Sequence, residues 1–227
     1  MQNPTELKLS PDVARLVRIA RIHAEPVAIK PASPELLREA ERLREALVAR
    51  YAGRSPGDIE GLVHARELYR SFRIDPTHTR PSSEALLRRL LQGKPFPQIL
   101  NAVDLCNLLS LEFLLPLGLY DAERIQGPVT LRRGLPGESY AGIRKEQVSL
   151  EGKPVLEDSS GPFGNPTSDS LRTAITHSTR RLWLVIFAPG PFPRTKLEEF
   201  SQMARDAMAL HLSEAGGRLE SGSEIYP

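Results

Sequence analysis

Residues 80–94, RPSSEALLRRLLQGK, decide the fold together with the two short runs that follow them, NAVDLCN at 101–107 and GLYD at 118–121. Ser82 or Ser83 is a typical first residue of a helix, and Gly93 is a typical stop. The next run, from 103 to 115, is the most apolar stretch of the chain although it carries Asp104 and Glu112, and Pro116 follows it. We therefore predict two consecutive helices, of which the second, from about 101 to 115, is buried.

Downstream of this helix pair, the chain changes to short segments separated by glycine and proline. Four of them are predicted strands, at 129–133, 139–143, 147–150 and 154–157. Two longer strands are predicted at 171–177 and 182–187, and the unbroken apolar run Trp183–Phe187 indicates a central strand. An amphipathic helix is predicted from Thr195 to Ala215, with Thr195 and Glu198 as a capping box and Gly216 as its stop. Helices followed by a mainly antiparallel sheet define an α+β fold.

Upstream of the helix pair, residues 1–60 are predicted to be a helical extension. Val13, Leu16, Val17 and Ala20 share one side of a first short helix, and a longer helix starts at Pro34. The row Arg15, Arg18 and Arg21 then lies on a solvated face. The predicted domains are thus an extension at 1–60, a main domain at 61–217 and a loose tail at 218–227.

Composition excludes several classes of protein. Apolar residues make up 40% and charged residues 26%, and the net charge is +2, so the overall charge indicates no particular partner. The single cysteine excludes an intramolecular disulfide framework, which makes the cytoplasm the simplest location. The five histidines lack metal-ligand spacing, no cofactor motif occurs, and no apolar run is long enough to span a membrane. We therefore predict no metal, no cofactor and no membrane partner.

The ordered series of motifs resembles a known family. It runs through the segments quoted above to Ile125-x-Gly127, Leu131-Arg132, Gly137-Glu138 and the loop 158–170, DSSGPFGNPTSDS. Over roughly residues 60–215 it resembles the B3/B4 domain, the tRNA-editing domain of the phenylalanyl-tRNA synthetase beta subunit, in the form found in stand-alone bacterial proteins. The resemblance implies a β-sandwich of unusual topology with flanking helices, and a pocket that hydrolyses the aminoacyl ester at the 3′ end of a mischarged tRNA. No class II synthetase motif is found, so we expect no ligase activity.

Ester hydrolysis of this kind requires an oriented water, a donor for the developing oxyanion and a group that binds the α-ammonium. The ester is already activated, so no strong nucleophile is needed. The loop from Asp158 to Arg172 is long, rich in glycine, serine and proline, and without core-forming spacing, which is typical of functional loops. The resemblance implies that aspartate and threonine residues from about this region belong to the editing pocket. We therefore predict Asp158, Asp169 and Thr173 as catalytic residues and Ser168 as a substrate-binding residue, with a rigid structural loop as the alternative.

Other polar residues are predicted to bind substrate, each with a structural alternative. Asp104 and Asn107 lie one turn apart in an apolar helix, where they either line the pocket or tie the helix to a neighbouring loop. Arg132 and Glu138 flank a strand turn and also suit a structural ion pair. Arg80 and Ser82 at a helix start suit an anion site or a plain cap.

Three functions follow from these readings. The first is a trans-editing deacylase that binds the 3′ end of a mischarged tRNA and cleaves the aminoacyl ester. The second is a non-catalytic RNA-binding or amino-acid-binding module that retains the fold. The third is a protein-interaction domain that docks a partner through its helical N-terminus.

Overall fold

The computed structural model describes residues 6–143, 146–214 and 217–227, which form five helices and ten strands. The helices are α1 Pro34–Tyr51, α2 Leu62–Ser71, α3 Ser82–Leu91, α4 Asn101–Phe113 and α5 Arg194–Leu212. The strands are β1 Leu7–Leu9, β2 Val17–Glu25, β3 Leu117–Asp121, β4 Val129–Arg133, β5 Ser139–Tyr140, β6 Val148–Ser149, β7 Pro154–Asp158, β8 Gly161–Gly164, β9 Leu182–Pro189 and β10 Glu220–Tyr226. The helix pair predicted from residues 80–115 is therefore confirmed as α3 and α4.

Two four-stranded sheets face each other. The first has the order β1-β4-β7-β8, and the second has the order β10-β2-β9-β3. All neighbours are antiparallel except β1 and β4, which run parallel. An apolar core joins Val129, Leu156 and Phe163 of the first sheet to Ile19 and Phe187 of the second. This arrangement confirms the α+β class and the β-sandwich.

The second sheet is covered on its other face by α4 and α5. Leu184 and Ile186 of β9 pack there in a second core with Leu105 of α4 and Met208 of α5. All eight residues of β9 are buried, because the strand lies between β2 and β3 and has a core on each face. The prediction of a central strand at Trp183–Phe187 is therefore confirmed. A third apolar cluster joins α1, α3 and α4.

The helix predicted around residues 13–20 is wrong, because Val17–Glu25 forms strand β2. The strand has apolar residues on both faces, and Val17 and Ala20 together with Val13 and Leu16 of the preceding turn happen to match a helical stripe. Arg21, predicted on a solvated face, is 1% exposed. Its guanidinium lies 2.7 Å from the Glu224 carboxylate and 4.5 Å from the centre of the Trp183 ring.

Three further sequence predictions fail in the structure. The strand expected at 171–177 is a 3₁₀ helix at Leu171–Thr173 followed by irregular chain. Helix α5 starts at Arg194 after Pro193, without a side-chain cap, so Thr195 is not the cap. The C-terminal tail was expected to be loose, but it forms strand β10, which pairs with β2 from Glu220↔Glu25 to Tyr226↔Ile19.

Gly216, the predicted stop of the last helix, lies outside the described residues. The domain boundaries at residues 60 and 217 stay a prediction. Within the described ranges, no helix is long and apolar enough to cross a membrane.

We expect removal of residues 218–227 to lower the free energy of unfolding by about 3 kcal/mol, because it uncovers β2 and removes the acidic partner of the buried Arg21. Chemical denaturation monitored by circular dichroism measures the change. The control is Glu224→Gln, which keeps the strand and loses only the charge, and which we expect to cost less than half as much. An unchanged midpoint after truncation would show that β10 adds nothing to the sheet.

Candidate functional site

A cavity of about 690 Å³ lies between helices α3 and α4, the β3 edge of the second sheet and the loop that follows β8. This volume falls in the range usual for small-molecule sites. Its apolar wall includes Leu86, Val103, Leu117, Leu119 and Ile175. Its polar groups are contributed by both helices and by the loop. The cavity is therefore amphipathic, which suits a ligand with an apolar side chain and a polar backbone.

Each helix presents one stripe of side chains to the cavity. Helix α3 contributes Ser82, Ala85, Leu86 and Arg89, and helix α4 contributes Val103, Cys106, Asn107 and Ser110. Both sets have the spacing i, i+3, i+4, i+7, which is one face of a helix. The hydroxyl of Ser83 donates to the Leu114 carbonyl at 3.4 Å, so the start of α3 lies beside the end of α4. The two stripes therefore run in opposite directions along the cavity.

The loop after β8 is held in place by a buried asparagine. The Asn165 side-chain oxygen accepts from the backbone N–H of Thr167 at 2.7 Å and of Ser168 at 3.0 Å. Its amide nitrogen donates to the Tyr140 hydroxyl at 2.7 Å, and that hydroxyl donates to the Ser168 carbonyl at 2.5 Å. The hydroxyl of Tyr69 donates to the Pro166 carbonyl at 2.9 Å. These bonds fix the loop that carries Asp169.

Asp169 closes the free edge of β3. Its Oδ2 accepts a hydrogen bond from the Leu119 backbone N–H at 3.4 Å. Its Oδ1 is inaccessible to solvent, although Asp169 as a whole residue is only half-buried. The Tyr120 hydroxyl lies beside this carboxyl, but neither it nor Oδ1 has a well-formed hydrogen bond with any other described residue. Burial raises the pKa of Asp169 to about 7, and the contacts from Tyr120 and Leu119 oppose this rise.

Two glycines make room for the Tyr120 ring behind the cavity wall. A Cβ atom at Gly118 would lie 2.0 Å from the Tyr120 hydroxyl oxygen, and one at Gly164 would lie 2.4 Å from it. Because these distances are far below any van der Waals contact, both positions require glycine while the ring is present. The ring also meets Phe163 edge to face, with centroids 5.1 Å apart. It thus links the edges of the two sheets behind Asp169.

Four of the predicted site residues line the cavity: Ser82, Asn107, Ser168 and Asp169. The Ser82 hydroxyl and the Asn107 amide make no hydrogen bond to other side chains or backbone within the described ranges. The described residues thus leave the hydrogen-bonding capacity of both groups unused, although the Ser82 oxygen itself is inaccessible to solvent. The structure brings these four residues together although they come from three separate segments.

Asp104 ties helix α4 to the neighbouring loop, which is the structural alternative given for it above. Both of its carboxylate oxygens accept from the backbone N–H of Ile99, at 2.9 and 3.1 Å. Burial raises the pKa of Asp104 to about 6, and the hydrogen bond from Ile99 opposes the rise. Ile99 and Pro97 line the cavity whereas Asp104 does not. Asp104 therefore holds the α3–α4 loop at the rim instead of contacting the cavity.

Besides Asp104, five predicted site residues lie outside the cavity. The Arg132 guanidinium pairs with Glu138 and with Glu157, in each case at 2.6 Å, which is the structural alternative for both Arg132 and Glu138. The Thr173 hydroxyl is buried and donates to the Phe163 carbonyl at 3.4 Å. Arg80 is exposed on the surface.

Asp158 is the fifth of these residues, and its carboxylate accepts hydrogen bonds from three neighbouring residues. It accepts two hydrogen bonds from Arg172, at 2.9 and 3.1 Å, and one from each of the backbone N–H groups of Gln126 and Ser160. A carboxylate with four donors is fully occupied. Catalytic roles for Asp158 and Thr173 stay predictions, and their positions favour structural roles.

Sequence reasoning missed several lining residues, namely Arg89, Cys106, Ser110, Asn165 and Thr167. Helical spacing could have identified Arg89, Cys106 and Ser110. Arg89 lies on the same face of α3 as the predicted Ser82, and Cys106 and Ser110 lie on the same face of α4 as the predicted Asn107. Nothing in the local pattern indicates the inward turn of Asn165. In the described part of the chain, no cluster of three or more histidine, cysteine, aspartate or glutamate residues is arranged to hold a metal ion.

Comparison with known proteins identifies relatives of the central part of the chain. A family model described as the B3/4 domain matches residues 64–196. The chain is 31% identical over 169 residues to the phenylalanine–tRNA ligase beta subunit of Nocardia farcinica, covering 65% of this chain and 20% of that protein. It is 38% identical over 92 residues to the same subunit of Streptomyces avermitilis, covering 40% of this chain and 11% of that one. The chain thus spans a fifth or less of these relatives.

A solved structure shares the fold. An N-terminal fragment of the phenylalanyl-tRNA synthetase beta subunit from Pyrococcus horikoshii superimposes with a TM-score of 0.51 at 13% identity. The match covers 100% of this chain and 55% of that fragment. At this identity, the similarity supports the fold alone.

We expect Asp158→Ala to lower the free energy of unfolding by about 3 kcal/mol, because it leaves Arg172 and two backbone N–H groups without their acceptor. Thermal and chemical unfolding measure the loss. Asp158→Asn is the matched control, because it keeps one acceptor oxygen and only part of the stabilisation is lost. A stable Asp158→Ala protein with no deacylase activity would instead support the predicted catalytic role.

Proposed function

This chain belongs to the B3/4 domain family, and from that premise we propose that it is an aminoacyl-tRNA deacylase acting in trans. In this proposal, the cavity receives the amino acid esterified to the 3′ end of a mischarged tRNA, and water cleaves the ester. The observation that carries the proposal is a buried carboxyl, Asp169, with a pKa of about 7 in the wall of a cavity of ligand size. Ionisable groups tuned to neutral pH in a cleft are typical of functional sites.

The lining supports the requirements of ester hydrolysis. The carboxylate of Asp169 is suited to bind the α-ammonium of the aminoacyl group, and the aliphatic wall is suited to take its side chain. The Asn107 amide and the Ser82 hydroxyl are free to donate to the developing oxyanion or to orient water. In the reaction, the water oxygen joins the carbonyl carbon and the ester C–O bond breaks. One proton goes to the leaving ribose hydroxyl, and the other goes to solvent.

One observation favours the alternative of a binding module without catalysis. Of the three residues predicted to be catalytic, Asp158 and Thr173 lie outside the cavity and only Asp169 lines it. A site with one carboxylate, one guanidinium and several neutral hydrogen-bonding groups binds an aminoacyl end without needing to cleave it. Tight binding of a mischarged tRNA with no acceleration of its hydrolysis would establish this alternative.

We expect Asp169→Asn to lower the deacylation rate constant kcat/KM by roughly 10- to 100-fold, because a charge-assisted contact to the ammonium is lost. In the unsubstituted protein, the rate should rise with pH up to about 7 and then level, as the carboxyl loses its proton. The variant should show no such rise. The assay follows release of radiolabelled amino acid from a panel of mischarged tRNAs, with spontaneous hydrolysis subtracted.

Stability measurements separate a loss of function from a loss of fold in this variant. A carboxyl whose pKa is higher in the folded than in the unfolded chain destabilises the fold as pH rises from about 4 to 7. Asp169→Asn keeps an acceptor for the Leu119 N–H, so it should be at least as stable as the unsubstituted protein at pH 7.5. If Asp169→Asn is equally stable and keeps full activity with an unchanged pH profile, Asp169 has no role in the reaction.

We expect Ala85→Trp to abolish binding of aminoacyl-tRNA without unfolding the protein. Ala85 is exposed on α3 and lines the cavity, so the indole enters the opening without disturbing a core. Ala49→Trp is the control, because Ala49 is an exposed helical alanine in α1 away from the cavity. Filter binding and thermal unfolding of both variants test the assignment. Equal tRNA affinity in the two variants would place the binding site elsewhere.

A further inference from the structure

The cavity has one charged side chain of each sign among its described lining residues, the guanidinium of Arg89 and the carboxyl of Asp169. All other described lining residues are uncharged. The lining therefore presents a positive and a negative pole to whatever occupies it. A ligand that carries one cation and one anion at its two ends matches this pattern.

The two charged groups lie at different depths. The lining residues that are exposed, and so define the mouth, are Ala85, Arg89, Ile99 and Ile143. Asp169 as a residue is half-buried, and its backbone carbonyl accepts from the Ile143 N–H at 3.3 Å. Its carboxyl lies deeper than the four exposed residues, because Oδ2 accepts from the backbone N–H of the buried Leu119 and Oδ1 is inaccessible to solvent. The positive pole is thus at the mouth, and the negative pole lies deeper in the cavity.

The Arg89 side chain is positioned by a hydrogen bond to the backbone but forms no ion pair with a described residue. Its Nε donates to the Pro95 carbonyl in the α3–α4 loop at 3.3 Å. No acidic side chain pairs with it in the described part of the chain, in contrast to Arg132 and Arg172. The terminal nitrogens of the guanidinium are therefore free, and this planar fork is well suited to bind phosphate oxygens.

From this polarity, we infer that Arg89 is a phosphate-binding residue for an aminoacyl nucleotide that enters the cavity with its amino acid first. The α-ammonium reaches Asp169 at the floor, the ester lies between the helix stripes, and the 5′-phosphate of the esterified nucleotide meets Arg89 at the mouth. This inference rests on the proposed function and adds to it the direction of the substrate. The phosphate is either the diester that joins the last two nucleotides of a tRNA or the monoester of a free nucleotide.

The test uses amide analogues that cannot be hydrolysed, in which 3′-amino-3′-deoxyadenosine carries an alanyl, leucyl or phenylalanyl group. Each is prepared in three forms: without phosphate, with a 5′-monophosphate, and with a 5′-phosphodiester to cytidine. Calorimetry measures their affinity for the unsubstituted 227-residue chain, for Arg89→Ala and for Arg88→Ala. Arg88 is the neighbouring arginine of α3 and does not line the cavity.

We expect a phosphate to increase affinity by roughly fivefold in the unsubstituted protein and in Arg88→Ala, as for a solvent-exposed ion pair. Arg89→Ala should bind all three forms equally and should match the unsubstituted protein for the form without phosphate. A gain with the diester identifies a tRNA end as the source, and a gain confined to the monoester identifies a free nucleotide. Both results support a phosphate contact at Arg89.

Two results overturn the inference in distinguishable ways. If the form without phosphate binds and phosphate adds nothing, or if Arg89→Ala keeps the full gain, the contact at Arg89 is wrong and the proposed function survives. If no analogue binds the unsubstituted protein, the proposed function and this inference fall together.

Discussion

Burial of β9 on both faces is the constraint on which the rest of the structure depends. On one face, its side chains complete the core between the two sheets, and on the other they complete the core beneath α4 and α5. Because the strand has no solvated side, every neighbouring element must supply apolar surface. Strand β3 lies beside it at the sheet edge, where α4 covers one face, and this corner forms one wall of the cavity. The position of the site thus follows from the way the central strand is covered.

The cavity itself is assembled from parts that pack for other reasons. The faces of α3 and α4 away from the cavity join the third cluster with α1, through Leu87, Leu90 and Leu111. The loop that bears Asp169 is fixed by Asn165 and two tyrosines. The side chains of Ser82 and Asn107 make no hydrogen bond to any residue that the structure describes. The packing and hydrogen bonds that hold α3, α4 and the loop therefore do not use the Ser82 and Asn107 side chains, which leaves these two polar groups for a ligand.

Much of the fold could be predicted from sequence because the relevant signals are local. The stops at Gly93 and Pro116 and the apolar run of β9 belong to single segments. Strand β2 could not be predicted, since a strand buried on both faces loses the alternation that distinguishes it from a helix. Its Arg21 looked solvated because its partner, Glu224, lies about two hundred residues away in sequence. Asp158 and Asp169 belong to one loop in the sequence prediction, but Asp158 ends β7 and Asp169 follows β8. The folded positions of Arg172 and of the Gln126 backbone, which sequence does not reveal, separate the paired acid from the one in the cavity wall.

The Tyr120 ring between Gly118 and Gly164 makes three sequence positions interdependent. A side chain at either glycine would overlap the ring, so such a change is compatible with the fold only if residue 120 loses its aromatic ring at the same time. Loss of the ring would in turn open a void behind Asp169 and admit water to its carboxyl. The positions should therefore vary together among related sequences, and chains that have lost the tyrosine should carry an aspartate of more ordinary acidity.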